Sequence, residues 1–439
     1  MMTDRTVPQR PRVLLLAENC NPEWPSLPVV GYKYARALAK VANVTVATHI
    51  RNRENIEKAA DMGAPVVYID NEWIARGMYR LSRLLRGGDQ IAWSTNQIMA
   101  YLPYVVFERQ ALRQFRAELA RGDFDLVHRI TPMSPTLPSY AAGRTRQPFV
   151  IGPLNGNLAW PEAFRGEQKR EREGLRRLRD LYRYLPYSRG TFTKAAAILA
   201  AFPHTIADLP EVVRDRVVDL PEIGFDDTVF HGRGRTPAFA GEGPKRFVFA
   251  GRLVPYKVPE AAVRAFATSE RLKGHVLQIV GDGPELPRLQ AIVAETGAQE
   301  RIRFEGRKTQ AQVAEIMRQG DAFVFPSIRE LGAGVVIEAM ACGMTVLVTD
   351  YGAPGHLASQ GRGVRVPLQP LDGLVRDYRA AMEACVAEPG RYAAIATAGQ
   401  THAHRHYTWA TKAAYTAEIY ADVLAGRRPR QSAAYASDA

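Results

Sequence analysis

Short apolar runs alternate with amphipathic stretches along this chain, and the pattern is most regular in its second half. From Arg246 onward, apolar segments are separated by stretches with helical periodicity. Segments of this kind, rich in β-branched and aromatic residues, are typical of buried strands. Their alternation with helices predicts a parallel, doubly wound α/β sheet. We predict strands at Phe247–Ala250, Val276–Val280, Ile302–Phe304, Ala322–Phe325 and Thr345–Val348.

The first half repeats this pattern less cleanly, which predicts a second doubly wound domain. Its predicted strands are Arg12–Leu16, Val44–Ala47, Val66–Ile69, Leu126–His128, Phe149–Ile151 and Ala197–Ala200. A passage rich in Gly and Pro from His231 to Pro244 is typical of a linker or long loop. We place the domains at residues 1–218 and 219–404. A helix over 405–425 is expected to cross back onto the first domain, and 426–439 is expected to be a disordered tail.

The composition agrees with two globular domains. The chain has 439 residues, of which 46% are hydrophobic and 23% charged. Residues 1–10 lack the apolar segment of a signal peptide, and no apolar run reaches the eighteen residues of a membrane span, so we expect a cytoplasmic protein. The three cysteines have no metal-binding or redox spacing and are expected to be reduced and structural.

The net charge of +13 indicates an anionic partner, such as a phosphorylated substrate or an acidic membrane surface. Nucleic acid is a poor candidate, because the chain carries no zinc-finger spacing and no aromatic and basic RNA-binding signature. We therefore expect no nucleic-acid partner.

Two carboxylates flank a turn of small residues between a strand and a helix. Glu330 follows the strand Ala322–Phe325, and Glu338 lies one turn into a helix predicted to begin at the glycines of 332–334. A helix N-terminus favours anionic ligands, and carboxylates accept hydrogen bonds from sugar hydroxyls. The alternative is that Glu338 complements the helix dipole and Glu330 is a solvated loop charge.

Other polar residues also follow the predicted strands of the second half. These strand ends carry Gly251-Arg252, Gly281-Asp282-Gly283-Pro284, Gly306-Arg307 and Pro326-Ser327. Ligands of open α/β sheets bind beyond the carboxyl ends of the strands. The sequence therefore predicts one ligand site formed by four loops.

The segments Gly251–Lys257, Gly281–Pro284 and Pro326–Gly343, in this order and spacing, resemble the family 4 retaining glycosyltransferases of GT-B fold. The resemblance is strongest over residues 220–367. It implies two facing Rossmann-like domains, a nucleotide-sugar donor bound by the second and an acceptor bound by the first.

The resemblance implies roles for individual residues. Arg252 and Lys257 would hold the donor diphosphate, where charge grows as the glycosidic bond breaks. Glu330 would lie near the donor sugar, and Glu338 would receive the ribose hydroxyls. The remaining donor contacts would come from Gly31, Gly281, Asp282, Gly283, Arg307, Ser327, Leu331, Gly332, Ala333 and Gly334.

Two departures from the family pattern stand out, and the role of Gly31, which resembles the family's glycine beside the donor phosphates, has an alternative. Where many relatives have Gly-Phe-Gly after the first glutamate, this chain reads Leu331-Gly332-Ala333-Gly334, which leaves the donor sugar open. Where relatives carry His-x-His, the second position here is Ile130, so His128 is either the catalytic histidine or a structural one. Gly31 is either a donor contact or the start of a helix over 32–40.

The family's front-face reaction uses the departing phosphate oxygen to accept the acceptor's proton. Positioning then supplies much of the rate, on the order of 7–11 kcal/mol. The acidic pair Asp226-Asp227 falls at the linker, and we expect no cofactor and no catalytic metal. His402, His404 and His406 lack a nearby carboxylate or cysteine cluster and are not expected to bind metal.

Two basic stretches of the first half suggest how the acceptor is presented. Residues 74–86 form a predicted amphipathic helix with an arginine face, and 169–187 combine arginines with tyrosines. Such stretches favour anionic membranes, although a core-packed helix with a solvated face is the alternative.

We expect a hexosyltransferase that uses a UDP-sugar rather than a GDP-sugar, with a lipid or lipid-linked glycan acceptor at the inner membrane face. The alternatives are a catalytically silent nucleotide-sugar-binding partner protein and an epimerase of the same fold.

Overall fold

The computed structural model describes residues 10–59, 61–78, 93–164, 166, 182–432 and 435. The described chain divides into two compact units. The first takes residues 10–157, 182–222 and 409–435, and the second takes 158–166 and 223–408. Within these ranges, no helix is both long and apolar enough to cross a membrane.

The first unit is built on a seven-stranded parallel sheet with strand order β3-β2-β1-β4-β5-β6-β7. Its strands are β1 Arg12–Ala17, β2 Asn43–His49, β3 Val66–Ile69, β4 Leu126–Thr131, β5 Phe149–Leu154, β6 Ala197–Ala200 and β7 Val217–Asp219. Its helices are α1 Leu27–Leu38, α2 Arg53–Lys58, α3 Trp93–Gln114, α4 Arg116–Arg121, α5 Ser188–Thr193, α6 Phe202–Asp208 and α14 Trp409–Leu424.

The second unit has a six-stranded parallel sheet with strand order β10-β9-β8-β11-β12-β13. The strands are β8 Arg246–Ala250, β9 Val276–Val280, β10 Ile302–Gly306, β11 Ala322–Phe325, β12 Thr345–Thr349 and β13 Val364–Val366. The helices are α7 Pro259–Ala267, α8 Leu286–Glu295, α9 Gln310–Gln319, α10 Gly334–Ala341, α11 Gly352–Leu357, α12 Leu371–Ala387 and α13 Pro389–His406.

The predicted fold class, two doubly wound Rossmann-like α/β domains, is confirmed. Every predicted strand is present, with its ends within three residues of the expected bounds. The strands that the sequence did not predict, β7 and β13, are three residues each, too short to give a periodic signal. Cys20, Cys342 and Cys385 are unpaired and buried, as expected.

The last helix α14 packs against α1 of the first unit, and the chain passes from one unit to the other at 222–223 and again at 408–409. Beyond this helix, residues 427–430 were expected to be part of a disordered tail. Instead Arg427 and Arg430 bind the carboxylate of Asp422 on α14, at 2.8 Å and 2.9 Å. Tyr435, 2% exposed, also lies within the first unit. The described part of the tail is therefore anchored.

Candidate functional site

The strand order of the second sheet reverses between β8 and β11. The chain winds outward in one direction through β8, β9 and β10, and in the other through β11, β12 and β13. At such a reversal the connecting loops lead away on opposite sides, which opens a crevice above the carboxyl ends of the two central strands. We therefore expect a ligand site at the residues that follow β8 and β11.

A short 3-10 turn after β8, Pro255–Lys257, places the Lys257 ammonium at this reversal. Lys257 Nζ lies 2.5 Å from Glu330 Oε1, and both side chains are largely buried, at 11% and 14% exposed. The ammonium also lies 4.7 Å from the centre of the Phe325 ring, which supplies a cation–π contact. A cation and a carboxylate from two adjacent strand ends thus form one pair.

Hydrogen bonds join the two loops beside this pair. Ile328 N donates to the carbonyl of Tyr256 at 3.0 Å, and the Ser327 hydroxyl lies 3.3 Å from the same carbonyl. The Ser327 hydroxyl is also 3.0 Å from Glu330 Oε1. The β8 turn therefore fixes the first half of the β11 loop, and with it the carboxylate of Glu330.

Arg252 follows β8, five residues before Lys257, and is exposed. Its Nη2 donates to the Tyr256 hydroxyl at 3.0 Å, which holds the guanidinium over the turn that carries Lys257. Tyr256 was not predicted as a site residue, although its position between the two cations was a signal. Arg252 and Lys257 give the crevice two cations within six residues of chain.

Glycines let the β8 and β9 loops touch through their backbones. A Cβ on Gly281 would lie 1.9 Å from the Gly251 carbonyl oxygen, and one on Gly283 would lie 2.4 Å from the Leu253 carbonyl oxygen. Both glycines have positive φ, at 136° and 156°. The Asp282 carboxylate accepts from Gly283 N at 2.7 Å. The predicted residues 281–283 therefore line the crevice beside Gly251.

Arg307 lies farther along the same edge. It follows β10, the outermost strand on that side, and its side chain is exposed. Gly306 O accepts from Gly281 N at 2.9 Å, which ties this strand end to the β9 loop. Arg307 is thus two strands away from Lys257, at the periphery of the predicted site.

The small-residue turn after Glu330 ends in a left-handed residue. Ala333, with φ 54° and ψ 46°, precedes the first residue of α10, Gly334. Leu331 is 36% exposed, and Gly332 is half-buried. Glu338 lies one turn into α10 and is half-buried. The helix starts at Gly334, and a donor-binding role for the two carboxylates stays a prediction.

Gly31 does not open a helix, because α1 begins four residues earlier at Leu27. Pro28 lies in the first turn of α1, a position where proline is favoured. A Cβ on Gly31 would lie 2.4 Å from the Asn19 carbonyl oxygen, so its missing side chain lets α1 approach the loop after β1. Gly31 thus has a packing reason within the first unit that does not depend on a ligand.

Glu18, also after β1, was not predicted as a site residue. Burial raises the pKa of its carboxyl to about 7, against the opposing charges of Arg51 and Arg129. Its Oε2 accepts from Asn19 Nδ2 at 2.6 Å. The loop after β1 therefore holds a carboxyl group that changes its charge near neutral pH.

His128 is fully buried in β4, which argues against the predicted catalytic role. Its Nε2 lies 2.8 Å from the Gly152 carbonyl oxygen, and its Nδ1 lies 2.6 Å from the Tyr420 hydroxyl. Because a carbonyl only accepts, Nε2 carries the proton and Nδ1 accepts from Tyr420. Burial lowers the pKa of His128 to about 3. Both nitrogens are satisfied inside the first unit, and we assign His128 a structural role.

The histidines of α13 do not form a metal site. The rings of His402 and His406 are 4.9 Å apart, but Arg362 Nη1 lies 3.0 Å from His402 Nε2. A guanidinium so close to a ring nitrogen opposes a cation there. Within the described ranges, no group of three His, Cys, Asp or Glu side chains is arranged to hold a metal ion.

Most of the two predicted basic stretches lies outside the described residues. Residues 79–86 of the first and 169–181 of the second belong to this part of the chain. Of the remainder, Tyr184 is 85% exposed, and Arg183 binds the Asp208 carboxylate at 2.8 Å. The amphipathic character of both stretches stays a prediction.

The part of the chain that forms the crevice resembles a known protein family. Residues 235–378 match the profile of the family described as Glycosyl transferases group 1. A D-inositol 3-phosphate glycosyltransferase of Streptomyces bingchenggensis is 31% identical over 215 residues, which cover 46% of each chain. A GDP-mannose-dependent alpha-(1-6)-phosphatidylinositol monomannoside mannosyltransferase of Mycolicibacterium smegmatis is 29% identical over 56% of this chain and 62% of its own.

Over these matches the chain spans about half the length of the curated relatives. Solved structures extend the likeness of the fold to nearly the whole chain. The crystal structure of Anabaena HepE in complex with UDP and glucose aligns with a TM-score of 0.58, covering 94% of this chain and all of its own, at 16% identity. At this identity the likeness shows the fold, two Rossmann-like domains of the GT-B type.

The Lys257–Glu330 pair is expected to contribute to stability as a coupled unit. Removing one partner of a largely buried pair leaves an uncompensated charge, so Lys257→Met and Glu330→Gln should each lower the free energy of unfolding by about 3 kcal/mol. The double variant should lose much less than the sum of the two, since neither charge is then left alone. Chemical denaturation of the four proteins measures this coupling, and strictly additive losses would contradict it.

The buried neutral His128 is expected to make stability fall in acid. The unfolded chain binds a proton on this histidine below about pH 6.5, whereas the folded protein does not until about pH 3. Stability is therefore lost as pH falls from 6.5, with a limiting slope of about 1.4 kcal/mol per pH unit. The unfolding midpoint of wild type should drop more steeply between pH 6.5 and pH 4 than that of His128→Gln. Parallel profiles would show that His128 is charged in the folded state.

Proposed function

We propose that this chain, whose residues 235–378 match the group 1 glycosyl transferases, transfers a hexose from a nucleotide-sugar with retention of configuration. The observation that carries the proposal is the pairing of Lys257 with Glu330 across the strand reversal, with Arg252 beside it. The donor would bind to the second unit at this crevice.

The two cations suit a diphosphate. Arg252 is exposed and presents a planar guanidinium that can donate two parallel hydrogen bonds to phosphate oxygens. Lys257 presents a compact charge on the adjacent turn, held in place by Glu330 and the Phe325 ring. Breaking the glycosidic bond adds negative charge to the leaving diphosphate, so cations placed there stabilise the transition state more than the bound substrate.

The turn after β11 suits the sugar and the ribose. Its glycines and the left-handed Ala333 leave backbone N–H groups of 332–334 beside the start of α10. Glu330 would lie near the donor sugar, and Glu338, one turn into α10, would accept hydrogen bonds from ribose hydroxyls. Residues 281–283 and Arg307 would border the base.

In the proposed reaction the acceptor hydroxyl attacks from the face that the diphosphate leaves. The departing phosphate oxygen takes the hydroxyl proton, and Arg252 and Lys257 compensate the remaining charge. Glu330 is held by Lys257 and the Ser327 hydroxyl, so its role is to position the lysine and the sugar hydroxyls. His128, with both ring nitrogens in hydrogen bonds, takes no part.

We favour a UDP-sugar as donor and a lipid or lipid-linked glycan as acceptor. One relative is named as GDP-mannose-dependent, and the turn 331–334 differs from the more usual Gly-Phe-Gly, so the donor must be established by direct comparison. The net charge of +13 supports an acceptor that is anionic or is presented on an anionic membrane.

A second candidate is a protein that binds a nucleotide-sugar without transferring it. The structural assignment of His128 favours this candidate, since it leaves the chain without an identified counterpart to the His-x-His of relatives. The two candidates share the donor site and differ in turnover.

A panel of nucleotide-sugars tests the proposal. UDP-glucose, UDP-N-acetylglucosamine and GDP-mannose are compared by thermal shift, and slow release of free sugar is measured for each. A true donor should raise the unfolding midpoint and be hydrolysed, and Arg252→Ala should lower turnover by about 10²–10³-fold. Arg271→Ala, which changes an exposed arginine away from the strand ends, is the matched control. Binding without any hydrolysis would instead indicate the silent partner protein.

Membrane attachment is tested by flotation with vesicles. The protein should float with phosphatidylglycerol vesicles at low salt, remain behind with phosphatidylcholine vesicles, and detach at about 0.5 M salt because exposed charges are then screened. Absence from the anionic vesicles at low salt would rule out this part of the proposal.

A further inference from the structure

A segment that follows β5 of the first sheet belongs to the second unit. The chain leaves the first unit after Asn157, and the described residues 158–164 and 166 group with the second. In the sequence, nothing in residues 158–160 distinguishes them from an ordinary loop. We call Leu158, Ala159 and Trp160 the buttress.

The buttress contacts the loop after β12, which in turn holds the backbone of Glu330. Gly352, with φ 62°, has no room for a side chain, because a Cβ there would lie 2.7 Å from both Leu158 Cδ2 and the Glu330 carbonyl oxygen. Ala353 N donates to the same Glu330 carbonyl at 3.1 Å. Leu158, 4% exposed, therefore packs directly beside the point where Glu330 is fixed.

Two further contacts complete the arrangement. The Tyr351 hydroxyl donates to the carbonyl of Ala159 at 2.9 Å. The Arg329 guanidinium lies 5.0 Å from the ring centre of Trp160, a cation–π distance, and Trp160 is 9% exposed. The residue just before Glu330 and the loop beneath its carbonyl are thus both bound to the buttress.

The β11 loop therefore has two supports. Its first half, Ser327 and Ile328, is held by the Tyr256 carbonyl of the β8 turn. Its second half, Arg329 and Glu330, is held through the buttress and the loop after β12. The first support acts on the backbone of residues 327–328, whereas the backbone carbonyl of Glu330 is held by the second.

We propose that the buttress consists of positioning residues for Glu330, with Trp160 the principal one. It acts on the peptide of residues 329–330, and through that peptide it sets where the Glu330 carboxylate meets Lys257. Its effect on catalysis rests on the proposed glycosyl transfer, but its effect on the order of the loop does not. A displacement of about 1 Å at a reacting centre costs on the order of a hundredfold in rate. We therefore expect removal of the buttress to lower the rate by up to about this factor.

Trp160→Ala removes the ring that faces Arg329, and Trp160→Phe keeps an aromatic face. Tyr351→Phe removes only the hydroxyl that binds Ala159. Val293→Ala, a truncation of a side chain 4% exposed on α8, serves as a matched control for general loss of stability in the same unit.

The first measurement is amide hydrogen exchange over residues 328–334. Exchange should be at least tenfold faster in Trp160→Ala than in wild type, slightly faster in Tyr351→Phe, and unchanged in Trp160→Phe and Val293→Ala. This readout needs no substrate. Unchanged exchange in Trp160→Ala, or equal acceleration in Val293→Ala, would overturn the proposal, and Tyr351→Phe decides the matter if Trp160→Ala does not fold.

The second measurement is donor hydrolysis with the nucleotide-sugar that stabilises wild type best. Trp160→Ala should lower kcat by about 10- to 100-fold with the KM for the donor within threefold of wild type, and Trp160→Phe should restore kcat. A rise in KM alone would mean that the buttress shapes binding and does not position Glu330, which overturns the catalytic part. If wild type binds no nucleotide-sugar, the proposed function fails, while the exchange experiment still decides whether the buttress orders the loop.

Discussion

The ion pair between Lys257 and Glu330 is the interaction around which the second unit's crevice is arranged. It joins two strand ends at the one place where the sheet reverses its winding, and both charges are largely removed from water. A largely buried pair is stable only when its geometry is good and its remaining hydrogen bonds are satisfied. The Ser327 hydroxyl beside Glu330 and the Phe325 ring beside Lys257 meet that condition. The surrounding loops bring Lys257 Nζ and Glu330 Oε1 to a separation of 2.5 Å.

Glycine at the strand ends is the second requirement. The loops after β8 and β9 approach so closely that a Cβ on Gly281 would lie 1.9 Å from the carbonyl oxygen of Gly251. Gly251 itself leaves room for the aliphatic part of Lys257, whose Cδ would lie 3.3 Å from a Cβ there. Loops in backbone contact have little freedom to shift. The backbone that carries Arg252 and Lys257 is therefore held rigidly at the edge of the sheet.

Features set by neighbouring residues could be predicted from the sequence, whereas contacts between residues far apart in the chain could not. Apolar strands, strand-end glycines and the residues Arg252, Lys257 and Glu330 each leave a mark within a few positions of chain. The role of His128 depends on the Tyr420 hydroxyl, 292 residues away, and no local pattern reveals whether a histidine in a strand has found such a partner. The buttress is likewise invisible, because Trp160 and Arg329 are far apart in sequence. The start of α1 is a local feature by contrast, because Pro28 in its first turn is typical of a helix start.

The ion pair also bears on how an anionic donor could enter the crevice. A buried ammonium without a partner would be costly. Glu330 supplies the counter-charge while the crevice is empty. A diphosphate that approaches Lys257 would replace the Glu330 carboxylate as the anionic partner. The desolvation cost of the Lys257 ammonium is already offset by Glu330 in the empty site. Binding then depends on the difference in interaction energy between the Lys257–diphosphate and Lys257–Glu330 pairs. The displaced carboxylate remains on a loop fixed at both ends, within reach of sugar hydroxyls, which can satisfy it in turn. The same pair that stabilises the empty site thus provides both the cation and the carboxylate that the proposed donor requires.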